Sequence, residues 1–341
     1  MGGKKLRVLL AGCGGISRAW LRATAELRDV EVAALVDARE EAARQRQEEF
    51  GLKGAIVATD VKAGLERAQP DAVFDCTPPE AHATVDAEAL RRGCHVLCEK
   101  PLAHSMEAAR RTLAAAAKAG RVCAVMQNRR FSPMSQAMRR LAASGALGEI
   151  TTLNADFYIG AHFGGFRDQM RHVLLLDMAI HTFDAARFMS GQDAVSVYCR
   201  EWNPKGSWYA HGASAVAVFE MTNGVVFTYR GSWCGEGNCT PWDSQWRMIG
   251  SKGSATWDGA ETIRAQVAKN KPGFAREMKD LAVKPVKLKA AGHAGVIRDF
   301  VECLRKGRTP GTVCTDNIKS LAMVFGAIES AEKGRPVKIR A

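Results

Sequence analysis

The stretch Gly12-Cys13-Gly14-Gly15-Ile16-Ser17 lies between an apolar run at 6–11 and a segment of helical spacing at 16–28. A strand-to-helix turn built this way constrains the fold more than any other feature of the chain. Gly12 permits the tight turn, and Gly14 lets the backbone approach a pyrophosphate whose charge sits at the helix N-terminus. Ser17 stands at the third glycine position and is small enough for close helix–strand packing. The next apolar run, 30–36, ends at Asp37, about where a ribose-binding carboxylate belongs. Gly12, Gly14, Gly15, Ile16, Ser17 and Asp37 are therefore candidate dinucleotide-binding residues. A carboxylate at position 37 accepts from both adenosine ribose hydroxyls and repels a 2′-phosphate, which favours NAD. Arg39, two residues on, is suited to that phosphate, so NADP stays open. Asp37 also suits the N-cap of the helix that follows, and the two roles are compatible.

The alternation continues. Helical patterns at 38–50, 61–68, 81–92 and 105–119 separate short apolar runs at 55–58, 72–76, 94–98 and 122–126. Ser105 is placed to cap its helix, and Gly51, Gly93 and Gly120 are placed as stops. This is the pattern of a parallel sheet covered on both faces and doubly wound by right-handed crossovers. Ligands of such sheets bind outside the carboxyl ends of the strands. Those ends read Cys76-Thr77-Pro78-Pro79-Glu80-Ala81-His82, Glu99-Lys100-Pro101 and Gln127-Asn128-Arg129-Arg130-Phe131. Prolines stiffen a loop that has to wall a flat ring. A lysine at a strand end is placed to polarise a carbonyl as hydride arrives; taken alone, however, Lys100 reads better as a surface partner of Glu99.

After residue 130 the period changes. A helix at 133–144 is followed by longer alternating runs at 149–159, 195–201, 213–220, 225–232, 245–249 and 254–257, joined by turn signals such as Thr222-Asn223-Gly224. They predict a large, mostly antiparallel open sheet with one face covered, and the helix expected at 172–189 is its cover. Asp177, His181 and Asp184 fall on one face of that helix. Histidine fits a proton-transfer role near neutral pH, and Asp177 is placed to orient it or to bind a substrate hydroxyl. Read in isolation, His181 is better explained as a core histidine hydrogen-bonded to Asp177 or Asp184. Every tryptophan except Trp20 lies between 202 and 257, which suits sheet packing or an oligomer interface. Closing helices are expected at 293–305 and 316–333. The domains divide into a Rossmann unit at 1–126 and an α/β unit at 127–341.

Bulk properties narrow the classes. The net charge is +12, but Lys and Arg are mixed with Asp and Glu along the chain, so nucleic acid is not expected as a partner, whereas an acidic small substrate is compatible. No apolar run reaches the roughly 18 residues of a membrane span. Residues 1–7 lack the apolar core of a secretory signal. A cytoplasmic location with free thiols is expected, and neither Cys94/Cys98 nor Cys234/Cys239 has a companion pair at zinc-site spacing, so no metal is expected.

Together, the glycine turn, the Glu99-Lys100-Pro101 triplet, Asn128-Arg129-Arg130-Phe131, Asp177 with His181, and the ending from His293 through Ala294-Gly295-Val296-Ile297-Arg298-Asp299-Phe300 resemble the Gfo/Idh/MocA family of oxidoreductases over nearly the whole chain. The resemblance implies an N-terminal Rossmann domain and a C-terminal α/β domain whose open sheet builds homodimers or homotetramers. It implies NAD or NADP, and sugars, sugar acids, inositols or similar polyols as substrates. It places Lys100, Asp177 and His181 in the catalytic site, with Thr77, Pro78, His82, Glu99 and Asn128 at the cofactor. Lys100, Asn128, Arg129, Tyr158, Arg167, His172, Asp177 and His181 are the expected substrate contacts. One departure stands out: where relatives often carry a glycine-rich stretch before the helix acid, this chain has Arg171-His172-Val173-Leu174-Leu175-Leu176. Arg167, Arg171 and His172 thereby become candidates for an acidic substrate group. Two other readings share the fold, namely a glycoside hydrolase that uses NAD transiently and a non-enzymatic dinucleotide sensor.

Overall fold

The structure, a computed structural model, describes residues 4–269 and 273–341. The expectation for the leading residues 1–3 lies outside that range. The chain divides into two compact units, Met1–Phe131 with Lys289–Ile318, and Ser132–Leu288 with Lys319–Ala341. The chain thus returns to the first unit near its end, where a single cut at 126/127 was expected. The physical reason lies in the core: Phe300 packs edge-on against Phe74, and Phe74 against Trp20. Val296, Ile297 and Val301 join the same cluster. Each fully buried aromatic is worth roughly 1.5–3 kcal/mol in apolar burial.

The first unit is a six-stranded parallel sheet made of β1 (Leu6–Ala11), β2 (Val30–Val36), β3 (Ile56–Ala58), β4 (Ala72–Asp75), β5 (His95–Cys98) and β6 (Cys123–Val125). Its order is β3-β2-β1-β4-β5-β6, the doubly wound Rossmann order. The crossovers are α1 (Ser17–Ala25), α2 (Glu40–Glu49), α3 (Val61–Ala68), α4 (Pro79–Arg91) and α5 (Met106–Ala119). Local chemistry sets their ends. Asp60 caps α3 through the N–H groups of Lys62 and Ala63, Ser105 caps α5 through that of Ala108, and Gly120 stops α5 with φ +60°.

The second unit begins with α6 (Pro133–Ala143), capped by Ser132, and is dominated by a nine-stranded sheet. Its strands are β7 (Ile150–Tyr158), β8 (Ala194–Trp202), β9 (Ser214–Met221), β10 (Val226–Ser232), β11 (Gln245–Gly250), β12 (Gly253–Trp257), β13 (Ile263–Ala268), β14 (Met278–Leu281) and β15 (Val337–Lys338). All pairings are antiparallel except β7 with β10. The hairpin from β9 to β10 turns at Asn223 and Gly224, both with positive φ. A short helix, α7 (Phe166–Gln169), precedes the long covering segment.

That segment departs from a plain α-helix. Leu174–Ala179 forms a π-helical turn that runs directly into α8 (Ile180–Ser190), and His172 before it adopts φ +54°. Phe183 seats the helix on the sheet against Phe219, Phe227 and Tyr229 at ring separations of 4.8, 6.2 and 5.2 Å. Two helices close the chain: α9 (Gly292–Lys306), in the first unit, and α10 (Cys314–Lys333), whose last fifteen residues belong to the second. Among the described residues, no helix is long and apolar enough to cross a membrane, and no cluster of three metal-ligating side chains occurs.

Candidate active site

The glycine turn lies where the strand order of the first sheet reverses, between β1 and β4. Gly12 has φ +85°, and a Cβ there would stand 2.5 Å from the carbonyl oxygen of Cys76 at the end of β4. Glycine is thus demanded by both conformation and close approach. Gly14 and Gly15 differ: a Cβ on either would meet nothing within 4 Å, so the outer side of the loop is open. Helix α1 starts behind it with no side-chain cap and no acid in its first turn, which leaves its leading N–H groups for an anion.

The loop is held from within. Ser17 Oγ donates to the Gly14 carbonyl at 2.6 Å, and the buried Arg46 of α2 donates to Ser17 Oγ at 3.1 Å. Arg46 is anchored in turn on Glu49. Asp37 accepts from the backbone N–H of Cys13 at 2.8 Å and from that of Arg39 at 2.9 Å. Its carboxylate is therefore a fixed, half-exposed group tied to the glycine turn. It is not the cap of α2, whose N-cap is Arg39. The Cys13 thiol is pushed up to about 12, chiefly by burial and next by the Asp37 charge, so it stays protonated and inert.

The ends of β4 and β5 form a second set. Asp75 Oδ1 accepts from the N–H of Thr77 at 2.9 Å and from its hydroxyl at 2.6 Å, fixing the turn into Pro78. Glu99 is turned inward: it accepts from the Trp20 indole at 2.7 Å and the Lys100 N–H at 3.0 Å, with His293 at 3.8 Å. Burial lowers the His293 pKa against the opposing pull of Glu99. Lys100 leads into a cis peptide with Pro101. His82 is fully buried, with its ring nitrogens on the carbonyl oxygens of Thr77 and Pro101. Beyond β6, Asn128–Phe131 is a single 3-10 turn. Arg130 points inward to the Gly311 carbonyl and Asp316, whereas Asn128 Oδ1 and the Gln127 amide are buried without a protein hydrogen bond. Such atoms are the kind that a ligand or water satisfies.

In the second unit, Asp177 sits in the π-helical turn and His181 four residues on, in the first turn of α8. Arg167 Nε donates to Asp177 Oδ2 at 2.7 Å, and its guanidinium lies over the rings of Phe163 and Phe166. Asp184 is buried and accepts from Ser320 Oγ at 2.6 Å, which makes it a structural group. His172 is committed elsewhere: Nδ1 meets Glu201 at 2.5 Å and Nε2 meets Glu332 at 3.4 Å. Its pKa is raised, first by the hydrogen bond to Glu201. Tyr158 ends β7 with its backbone bonded to Thr240, and burial raises its phenol. Four residues on, His162 stacks on Trp208 at 3.7 Å and pairs with Glu236.

The first unit therefore assembles Gly12, Gly14, Gly15, Ile16, Ser17, Asp37 and Arg39 at one turn, and Thr77, Pro78 and Lys100 at the neighbouring strand ends. His82 and Glu99 instead satisfy their polar atoms inside the protein, because both are buried. The second unit joins Arg167 to Asp177 but ties His172 to two glutamates. Arg46, Trp20, Glu201 and Glu332 were not marked by the sequence. Arg46 lies in a charge-rich helix that reads as solvated, and Trp20 meets Glu99 across 79 positions.

An open glycine loop, an uncapped helix start and a fixed carboxylate suit NAD. The comparisons agree. Residues 6–127 match the oxidoreductase family with an NAD-binding Rossmann fold, and residues 135–256 match the GFO/IDH/MocA C-terminal domain. The chain is 30% identical over 233 residues to inositol 2-dehydrogenase 4 of Saccharopolyspora erythraea, covering 67% of each. It is 28% identical over 354 residues to D-apiose dehydrogenase of Paraburkholderia graminis, covering 99% of this chain and 90% of the relative. An oxidoreductase from Agrobacterium radiobacter, solved with NAD+, L-tartaric acid and magnesium, superposes with a TM-score of 0.87 at 22% identity, over 98% of this chain and 99% of that one. With both halves matched in chain order and an NAD-binding turn on the first, the chain belongs to the Gfo/Idh/MocA family of oxidoreductases.

Proposed function

We propose that the protein is an NAD-dependent dehydrogenase or reductase of a CH–OH group on a sugar, sugar acid, inositol or similar polyol. The observation that carries this reading is the π-helical turn at Leu174–Ala179, which presents Asp177, ion-paired to Arg167, four residues before His181. Such turns cost helical regularity and recur at functional sites. The relatives named above act on inositol and apiose, which supports the substrate class.

NAD, when bound, supplies the two-electron acceptor or donor. The glycine turn and the N-terminus of α1 would hold its pyrophosphate, and Asp37 would accept from the adenosine ribose hydroxyls, favouring NAD over NADP. In oxidation, His181 takes the hydroxyl proton as the C–H hydride departs; in reduction it returns that proton to the oxygen. Lys100 places a cation on the reacting oxygen and stabilises its negative charge. Asp177, fixed by Arg167, orients the substrate or His181. Replacing His181 with Ala should collapse turnover on a panel of sugars, uronic acids, inositols and their keto forms while NADH binding survives.

We also assign assembly into a homodimer or homotetramer to the open face of the second sheet. Tyr198 and Val218 face each other there on β8 and β9, both exposed, with Val226 exposed on β10. The ten free cysteines suit a reducing compartment such as the cytoplasm.

A further inference from the structure

His82, in α4, is wholly buried, yet each ring nitrogen faces an oxygen that can only accept. Nδ1 lies 2.9 Å from the Pro101 carbonyl and Nε2 lies 2.8 Å from that of Thr77. A neutral imidazole has one N–H and one lone pair, so one of these contacts would set lone pair against lone pair. Only a ring carrying both protons satisfies both. A buried cation needs a buried counter-charge. Asp75, also wholly buried, is placed to provide it: burial raises its carboxyl, and against that pull act the His82 charge and the two hydrogen bonds that its Oδ1 accepts from Thr77. Asp86, one turn beyond His82 on α4, lies buried beside Asp75, and burial together with the Asp75 charge raises its pKa well above the usual carboxylate range. Asp86 and Asp75 share a side-chain hydrogen bond, with the Cys98 thiol as a second neighbour of Asp86, so a protonated Asp86 donating to Asp75 completes the pair.

We propose that His82 donates from both ring nitrogens, clamping the loop after β4 to the proline turn after β5, and is thereby the positioning residue for Lys100. The juxtaposition is specific. Thr77 follows β4, Pro101 directly follows Lys100, and the ring joins their carbonyls. The Asp75–Asp86 pair carries one negative charge and one shared proton, so the cluster is neutral overall. The consequence at Lys100 rests on the oxidoreductase reading above; the charge state of His82 does not.

The charge state is read on the whole wild-type protein, labelled with ¹⁵N at histidine, near neutral pH and without ligand. One ring should show two slowly exchanging N–H signals, both at the shift of a protonated nitrogen, and His82→Gln should remove them. A buried ring with one unprotonated nitrogen would overturn the clamp even if no His82 variant folds. The positioning role is read separately. His82→Gln should lower kcat about tenfold or more, as small misplacements do, with the dissociation constant of NADH little changed. A weakened NADH affinity with unchanged kcat at saturation would instead make His82 a cofactor contact and overturn the positioning role. If no substrate turns over, the oxidoreductase reading fails while the nitrogen shifts still decide the clamp.

Discussion

Arg167 donates its Nε hydrogen to Asp177 across 2.7 Å, with the guanidinium lying over the rings of Phe163 and Phe166. The pair fixes a carboxylate in the one turn of the long helix that is not α-helical. Arg167→Met should lower kcat/KM by about ten- to a hundredfold through misplacement of Asp177, leaving NADH affinity unchanged. Arg167→Lys should recover only part of the loss, since an ammonium lacks the planar fork. Steady-state kinetics and NADH fluorescence titration separate these effects.

Asp37 holds its position through two backbone N–H groups, Cys13 and Arg39. Asp37→Ala should weaken NAD about tenfold, the equivalent of about one lost charge-assisted hydrogen bond. It should also improve NADP, because the repulsion of a 2′-phosphate disappears while Arg39 remains. The ratio of the two dissociation constants checks this.

His172 joins Glu201 of β8 to Glu332 of α10 from a left-handed backbone position. Its folded pKa is raised by the Glu201 hydrogen bond. The proton is therefore held more tightly in the folded state. The associated stability is fully present below the unfolded value of about 6.5 and is lost as pH rises through the higher folded value. His172→Gln should consequently lower Tm most at about pH 6 and least at about pH 9, as thermal unfolding across pH would show.

Much of the first unit was legible because its signals are local. A glycine turn, an acid at a strand end, Ser105 as a cap and Gly120 as a stop each act within a few residues. The strands β13 and β14 were not, since β13 buries only Ala265 and β14 is four largely exposed residues, and β15 is only two residues long. The π-helical turn was hidden because its run of leucines fits an α-helix equally well. The inward turn of Glu99 and the return of α9 to the first unit depend on partners distant in sequence: Trp20, His293 and Phe74. His172 looked like a substrate contact because its two glutamate partners lie 29 and 160 positions away, beyond any local pattern.

Proton-coupled hydride transfer with His181 as the proton carrier is the reaction proposed above. NADH absorbance, followed with wild-type protein and His181→Ala on the panel of sugars, uronic acids, inositols and keto forms, tests it most directly. The expected result is a cofactor-linked change with wild type on at least one member, lost in the variant while NADH still binds. Silence of wild-type protein that binds NADH, or undiminished turnover by the variant, would contradict it.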